Sequence, residues 1–295
     1  MTTIPARKIP LLLPSLLTFL LFPAYTFAQK DAQSRAWNLP VEPFQILGNL
    51  YYVGAKEIAS YLIATPQGHI LLDGGFAETA PMIARHVERL GFRLSDVKIL
   101  LSSHAHYDHA GGLAELKKET GAKLVASERD APLLAAGGKG DFRWGDELTF
   151  PLVQADRTVH DGEQVTLGDA TLTAHLTPGH TKGCTTWTMR VEEAGSHYDV
   201  VFVGSPTINP GVRLAVDPSY PGIAEDYATT FRVLKSLPCD VFLGAHGSFF
   251  GLSEKILRLK KGAGPNPFLD PQGYRAFVTR SEKVYLDQLK SERAP

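Results

Sequence analysis

The apolar run Val97-Lys98-Ile99-Leu100-Leu101 reads as a buried strand, and shortly after its end the chain carries His104, His106, Asp108 and His109. Three imidazoles and a carboxylate within six residues, set where a strand leaves its sheet, call for partners from elsewhere in the chain. In α/β sheets ligands collect in the crevice beyond the strand ends, so the fold must bring other strand ends to this one. His104 and His106, two residues apart, can point the same way from an extended segment. Asp108 and His109 can turn toward a second point as the chain bends into a helix beginning near Gly111, and one short stretch can thereby feed two metal ions.

The rest of the chain repeats that logic. Residues 42–53 and 60–64 alternate or run apolar with turn residues between them, which predicts a strand meander. His69-Ile70-Leu71-Leu72 is a further strand, and the Asp73 that ends it is either a partner orienting a ligand imidazole or a turn-forming aspartate before two glycines. A helix is expected from Thr79, as its N-cap, to Leu90, and another through Leu113 and Leu116 that stops at Gly121. Strand 123–126 follows, and Ser127-Glu128-Arg129-Asp130 resembles a capping box opening one more helix. Residues 137–145 break the pattern: the glycines around Phe142 and Trp144 make either a mobile flap over an apolar substrate or a long surface loop with its aromatics packed down.

From Gln164 the pattern restarts. A hairpin with Gly168-Asp169 at its turn delivers Thr177-Pro178-Gly179-His180, and strands 184–191 and 198–203 follow, the second running into Ser205 and Thr207. A helix from Ala224 to Ser236 precedes the strand Val241-Phe242-Leu243-Gly244, which leads to His246, and Asp270-Pro271 caps a last amphipathic helix. Two such halves, about 40–163 and 164–295, packed sheet on sheet with helices outside, make a single α/β domain, a four-layer αββα sandwich with the site in the cleft at one edge.

Composition narrows the function. The 30 lysines and arginines balance 31 acidic residues, which leaves no electrostatic case for nucleic acid or an anionic membrane surface and suits a small neutral or weakly anionic substrate. At the N-terminus Arg7 and Lys8 precede the apolar run Ile9 to Leu21, and Thr26-Phe27-Ala28 offers the small residues that a signal peptidase reads. Pro10 and Pro14, in a run shorter than the ~20 apolar residues a bilayer requires, argue against a membrane anchor. Residues 1–28 are therefore expected to be a secretory signal cleaved after Ala28, giving a periplasmic or secreted chain, residues 29–295, with no stable membrane anchor. Cys184 and Cys239 are too few for a disulfide framework; they form one bridge or are two small buried residues, and Cys184 reads as packing rather than as a ligand.

Of ten histidines, His69, His86, His160, His175 and His197 sit at a strand start, mid-helix, in polar loops or inside a strand, and are set aside. His104, His106, His109, His180 and His246 remain, joined by Asp108. Six ligands are what two tetrahedral zinc ions need if each takes three from the protein and the two share a bridging hydroxide. Imidazole and carboxylate suit zinc better than magnesium or calcium.

His104-Ala105-His106-Tyr107-Asp108-His109 matches the HxHxDH signature of the metallo-β-lactamase superfamily, and Thr177-Pro178-Gly179-His180-Thr181 and Gly244-Ala245-His246-Gly247 resemble its later ligand loops in order and spacing. The resemblance runs over almost the whole chain after residue 28 and is strongest to subclass B3, secreted bacterial enzymes that hydrolyse β-lactam antibiotics. It implies a monomeric zinc hydrolase that opens a small β-lactam by attack of a zinc-bound hydroxide, with His104, His106 and His180 on the first zinc and Asp108, His109 and His246 on the second. Asp108 would also orient the attacking water or help return a proton. Glyoxalase II-like thioester hydrolases and lactonases share the signature and form the alternative, but they carry a metal-bridging aspartate where this chain has Ser205. By the same resemblance Ser205 orients a metal-bound water, and Thr207, where serine is common, hydrogen-bonds the substrate carboxylate.

Overall fold

The structure, a computed structural model, describes residues 27–262 and 264–294; the expected signal falls, over residues 1–26, outside the described residues. Helix α1 (Phe27–Trp37) leads into a meander of β1 (Phe44–Leu47), β2 (Leu50–Tyr52), β3 (Tyr61–Thr65) and β4 (Gly68–Leu72). Then α2 (Ala80–Arg89), β5 (Val97–Leu101), α3 (Tyr107–Ala110), α4 (Leu113–Thr120), β6 (Lys123–Ser127), α5 (Ala131–Ala135) and β7 (Arg157–Val159) complete the first sheet and its outer helices. Its seven strands lie in sequence order, antiparallel from β1 to β4 and parallel from β4 to β7.

The second sheet contains β8 (Gln164–Leu167), β9 (Ala170–Leu176), β10 (Thr185–Glu193), β11 (Ser196–Val203) and β12 (Val241–Gly244), ordered β12-β11-β10-β9-β8. Only β11 and β12 pair in parallel, joined by the crossover helix α6 (Ile223–Ser236). Helices α7 (Leu252–Lys261) and α8 (Pro271–Arg293) end the chain, and α8 packs on α6 and β12.

Period-two alternation with both faces apolar sets the layers. In β3, β4, β5 and β6, Leu62, Leu71, Leu100 and Leu124 point outward and are covered by Ile83 and Val87 of α2 and by Leu113 and Leu116 of α4. Their neighbours Ile63, Ile70, Leu72, Leu101 and Val125 point inward, into one core with Leu172, Ala174 and Trp187 of the second sheet. The architecture is the expected four-layer sandwich of mixed sheets and outer helices.

Several local expectations need correcting. The leader before β1 is partly helical, and the stretch before α8 contains α7, whose Leu252, Ile256 and Leu259 carry helical spacing. Thr79 does not cap α2 with its side chain; its hydroxyl donates to Asn38 Oδ1 at 2.6 Å, tying the leader down. The helix expected near Gly111 is two pieces, and the first begins inside the ligand motif at Tyr107. The capping box at Ser127 is half formed. Asp130 N donates to Ser127 Oγ, but the Asp130 carboxylate turns away from the helix into the protein, and α5 starts only at Ala131. Cys184 is buried, Cys239 is half-buried, and both thiols are free.

Candidate metal centre

All the candidate ligands leave the C-terminal ends of strands that face one another across the inter-sheet cleft. Past β5, Ser102 N donates to the Val125 carbonyl, which keeps the chain extended until α3 turns Asp108 and His109 inward. A close backbone approach holds this turn in place. His109 O accepts from Gly74 N at 2.8 Å, Gly75 O accepts from Gly112 N at 3.1 Å, and a Cβ on Gly112 would lie 2.2 Å from the Gly74 carbonyl oxygen. The loop after β9 brings in His180, and the turn after β12 brings in His246.

The imidazoles meet at distances that a shared proton or a metal ion explains. His106 Nδ1 lies 3.1 Å from His180 Nε2, and the donor atoms of His104, His106 and His180 all lie within 4.8 Å of one another. Across the cleft His109 Nε2 lies 3.2 Å from His246 Nε2, and Asp108 Oδ2 is 3.4 Å from the former and 3.8 Å from the latter. Donors around a tetrahedral zinc at ~2.0–2.1 Å stand roughly 3.3 Å apart, so both triplets have the right spread. His104 also falls in a group with Asp108 and His109, which places it between the two triplets. The buried His104 Nε2 has no hydrogen-bond partner, and an imidazole nitrogen left so in a polar cluster is what a bound cation would satisfy. An all-imidazole and carboxylate donor set fits zinc.

Burial and neighbouring charge fix the protonation. Burial, and then the neighbouring His106, push His180 down to about 3, and burial followed by the neighbouring His109 holds His104 well below the usual imidazole range, so both lone pairs are open to a cation. Burial would raise Asp108, but His109 beside it pulls the carboxyl below its usual range.

Each ring is steadied from behind. His104 Nδ1 meets Ser103 Oγ at 3.0 Å, and His180 Nδ1 donates to the Thr207 carbonyl at 2.8 Å. Asp73, at φ 63°, accepts from Ser103 N at 2.7 Å and stands 3.9 Å from His109 Nδ1, so it both shapes the turn and faces a ligand ring. Burial raises its pKa to about 6.

The floor opens into a cavity of about 560 Å³ whose walls include Trp37, Trp144, Leu148, Thr207 and Phe249. The two aromatics of the 137–145 loop part company. Trp144 lines the cavity, whereas Phe142 packs edge-on against Tyr220 at 4.8 Å and lies half-buried against the core. Thr207 lines the cavity too; Ser205 lies beneath it, buried, its hydroxyl 3.0 Å from that of Thr207 and its N–H on Cys184 Sγ.

A family model for the metallo-β-lactamase superfamily matches residues 53–246. The chain belongs to that superfamily. Its fold is shared by the native FEZ-1 metallo-β-lactamase of Legionella gormanii, with a TM-score of 0.85 and 45% identity over 88% of this chain and 99% of that one. LRA-12, a class B3 di-zinc metallo-β-lactamase from an Alaskan soil metagenome, matches with a TM-score of 0.81 and 40% identity over 86% and 96% of the two chains. A hydroxyacylglutathione hydrolase of Rhodospirillum rubrum is 29% identical over 59% of this chain, and the chain spans about half the length of the curated relatives it matches, 56% in that case. Within the superfamily the chain falls with subclass B3.

In this metallo-β-lactamase chain three carboxylates at the site escaped the sequence reading. Asp130, buried, accepts from Ala105 N, Thr181 Oγ1 and Gly183 N, clamping the His106 and His180 loops together. Asp141 Oδ2 lies 3.6 Å from His106 Nε2, while its Oδ1 accepts from the N–H groups of Arg143 and Trp144. Glu57 lies 3.4 Å from His246 Nδ1 and accepts from Ser248 Oγ at 2.5 Å. Trp37 of α1 stands edge-on to His246 at 5.4 Å, so the leader closes one side of the cleft. Among the described residues no helix is long and apolar enough to cross a membrane.

Proposed function

We propose that this chain hydrolyses the amide bond of β-lactams, penicillins, cephalosporins and carbapenems alike, with two zinc ions in the cleft, and that it confers resistance as an exported, monomeric enzyme. Position 205 carries the choice of substrate. The thioester and lactone hydrolases that share the ligand motif have a metal-bridging aspartate at this strand end, and Ser205 with its hydroxyl against Thr207 offers no carboxylate there. Subclass B3 enzymes typically have serine at this place. The 45% identity with FEZ-1 along nearly the whole of that chain supports the same reading more strongly than the partial match to the hydroxyacylglutathione hydrolase supports its rival.

His104, His106 and His180 would hold one zinc, and Asp108, His109 and His246 the other. Zinc held by such ligands polarises a carbonyl and brings the pKa of a coordinated water to about 7. The chain supplies the rest. Water adds across the lactam bond: its oxygen bonds to the carbonyl carbon, the C–N bond breaks, and the ring nitrogen takes a proton. Asp108, a ligand and a hydrogen-bond acceptor at once, orients the attacking water or returns that proton. The Thr207 hydroxyl donates to the substrate carboxylate, and Trp37, Trp144 and Phe249 give the ring system apolar walls. A signal cleaved after Ala28 would deliver the enzyme to the periplasm.

The test is a substrate comparison on the purified chain. Hydrolysis of a cephalosporin and a carbapenem with S-lactoylglutathione left intact is the expected result. Turnover of the thioester with both β-lactams untouched would overturn the reading and favour the glyoxalase II-like alternative.

A further inference from the structure

Among the residues whose side chains are described, the cavity holds one fixed cation whose task the metal chemistry does not use. Among the described residues Arg143 is the only lysine or arginine lining it, against the carboxylates of Glu57, Asp108 and Glu147. Arg143 is also held in place. Its Cζ lies 4.2 Å over the Trp144 ring, its Nε donates to the Pro210 carbonyl, and the Asp141 carboxylate anchors its backbone N–H at 2.8 Å. On another side the backbone of Gly211 runs so close that a Cβ there would stand 3.3 Å from Arg143 Cζ. Gly211 has φ +87°, so a side chain at that position is disfavoured twice over.

A flexible surface arginine needs none of these contacts. With Nε committed to Pro210, the guanidinium offers its terminal amino groups, the pair that matches a carboxylate. The Pro210 contact also puts the guanidinium beside the stretch that carries Thr207 and Asn209, both of which line the cavity. The three cavity carboxylates have their own partners or tasks: Glu57 faces His246 and Ser248, Asp108 belongs to the candidate metal ligands, and Glu147 is engaged in a contact of its own.

We propose that Arg143 is a specificity-determining residue, its clamped guanidinium binding the carboxylate of an anionic substrate on the Thr207–Pro210 side of the cleft. This rests on the β-lactam reading, because those substrates carry one carboxylate next to the ring nitrogen. The two loops then close on the substrate through a charge rather than through a moving lid. The preference is for anionic over neutral β-lactams, and it is expressed in KM rather than in kcat, since the carboxylate stays ionised from ground state to product.

The test compares a cephalosporin with its own carboxyl methyl ester, using the zinc-loaded full chain and the variants Arg143→Ala, Arg143→Lys and Gly211→Ala. For the acid, Arg143→Ala should raise KM about 10- to 100-fold with kcat within a few-fold, as the loss of a charge-assisted hydrogen-bonded pair implies. For the ester the same variant should leave KM within about twofold, because no charge-assisted pair is lost. Arg143→Lys should recover part of the loss, and Gly211→Ala, which keeps the charge but crowds the guanidinium, should raise KM for the acid alone. The apparent dissociation constant of the hydrolysed, non-reactive cephalosporin acid, read by tryptophan fluorescence, should rise in parallel. Equal KM changes for acid and ester, or none for either, would overturn the proposal while wild-type turnover leaves the functional reading standing. A wild-type chain that hydrolyses neither cephalosporin would overturn that reading, and this one with it.

Discussion

Behind His104 and His180 the protein places a hydroxyl and a backbone carbonyl, with a single carboxylate, Asp141, behind His106. Behind His109 and His246 it places Asp73 and Glu57, and Asp108 is itself among the candidate ligands. The first triplet is shaped by burial: loss of water and the neighbouring imidazoles keep His104 and His180 neutral, so their lone pairs stand ready for a cation. The second is a product of charge, with carboxylates on both sides of its imidazoles. It is also the more open, since the side chain of His246 is 14% exposed whereas His104, His106 and His180 are all buried. One strand end feeds both, and only their surroundings make them different.

That contrast can be broken most directly at the ligands. His180→Ala and His246→Ala should each lower β-lactam turnover by more than about 100-fold, because deleting a ligand exceeds the ~10–100-fold cost typical of deleting its outer partner. Metal analysis should separate them, with the ion of the mutated triplet lost and that of the other kept. Loss of both ions from both variants would mean that the triplets are a single site.

The outer partners sharpen the contrast at smaller cost. Glu57→Gln should weaken the second metal about 10-fold and leave the first unchanged, and Asp141→Asn should do the converse, as competition titrations with a chelating indicator would report. Equal weakening of both ions by either change would remove the distinction.

The smallest expected effect is a background that both triplets share. His86, in α2 and away from the centre, is buried with Nδ1 on the Val53 carbonyl, and burial lowers its pKa below the usual 6.5. The unfolded chain therefore binds the proton more readily, so this contribution to stability is fully present above about pH 6.5 and is lost as pH falls below it. Urea midpoints of metal-free chain should fall between pH 7.5 and 5.5, and His86→Gln should flatten part of that slope. An unchanged slope would assign the acid sensitivity to the centre itself.

Much of this was legible in the sequence because it is local. The strand 97–101 and the four ligand-type residues after it are contiguous, and Ile70, Leu71 and Leu72 announce a strand buried on both faces. The outer partners were not legible, because each acts across the chain: Glu57 meets Ser248 over a separation of 191 residues, and Asp130 meets Thr181 over 51. Asp130 was hidden by a plausible local role, since an acid three residues after a serine is read as a capping box until tertiary packing turns it inward. For Asp141 the available signal was its place just before two aromatics in a glycine-rich loop, where an Asx turn is favoured. Helix α7 needed only its apolar spacing to be read, whereas nothing in the polar leader marks Trp37 as a wall of the cleft.

The most direct test follows hydrolysis of a cephalosporin while metal-stripped chain is titrated with zinc. The expected trace shows no turnover at the start and recovery as zinc is added, complete by two equivalents per chain. Full turnover in stripped protein, or none after both equivalents are bound, would contradict a zinc-dependent β-lactamase built on these six ligands.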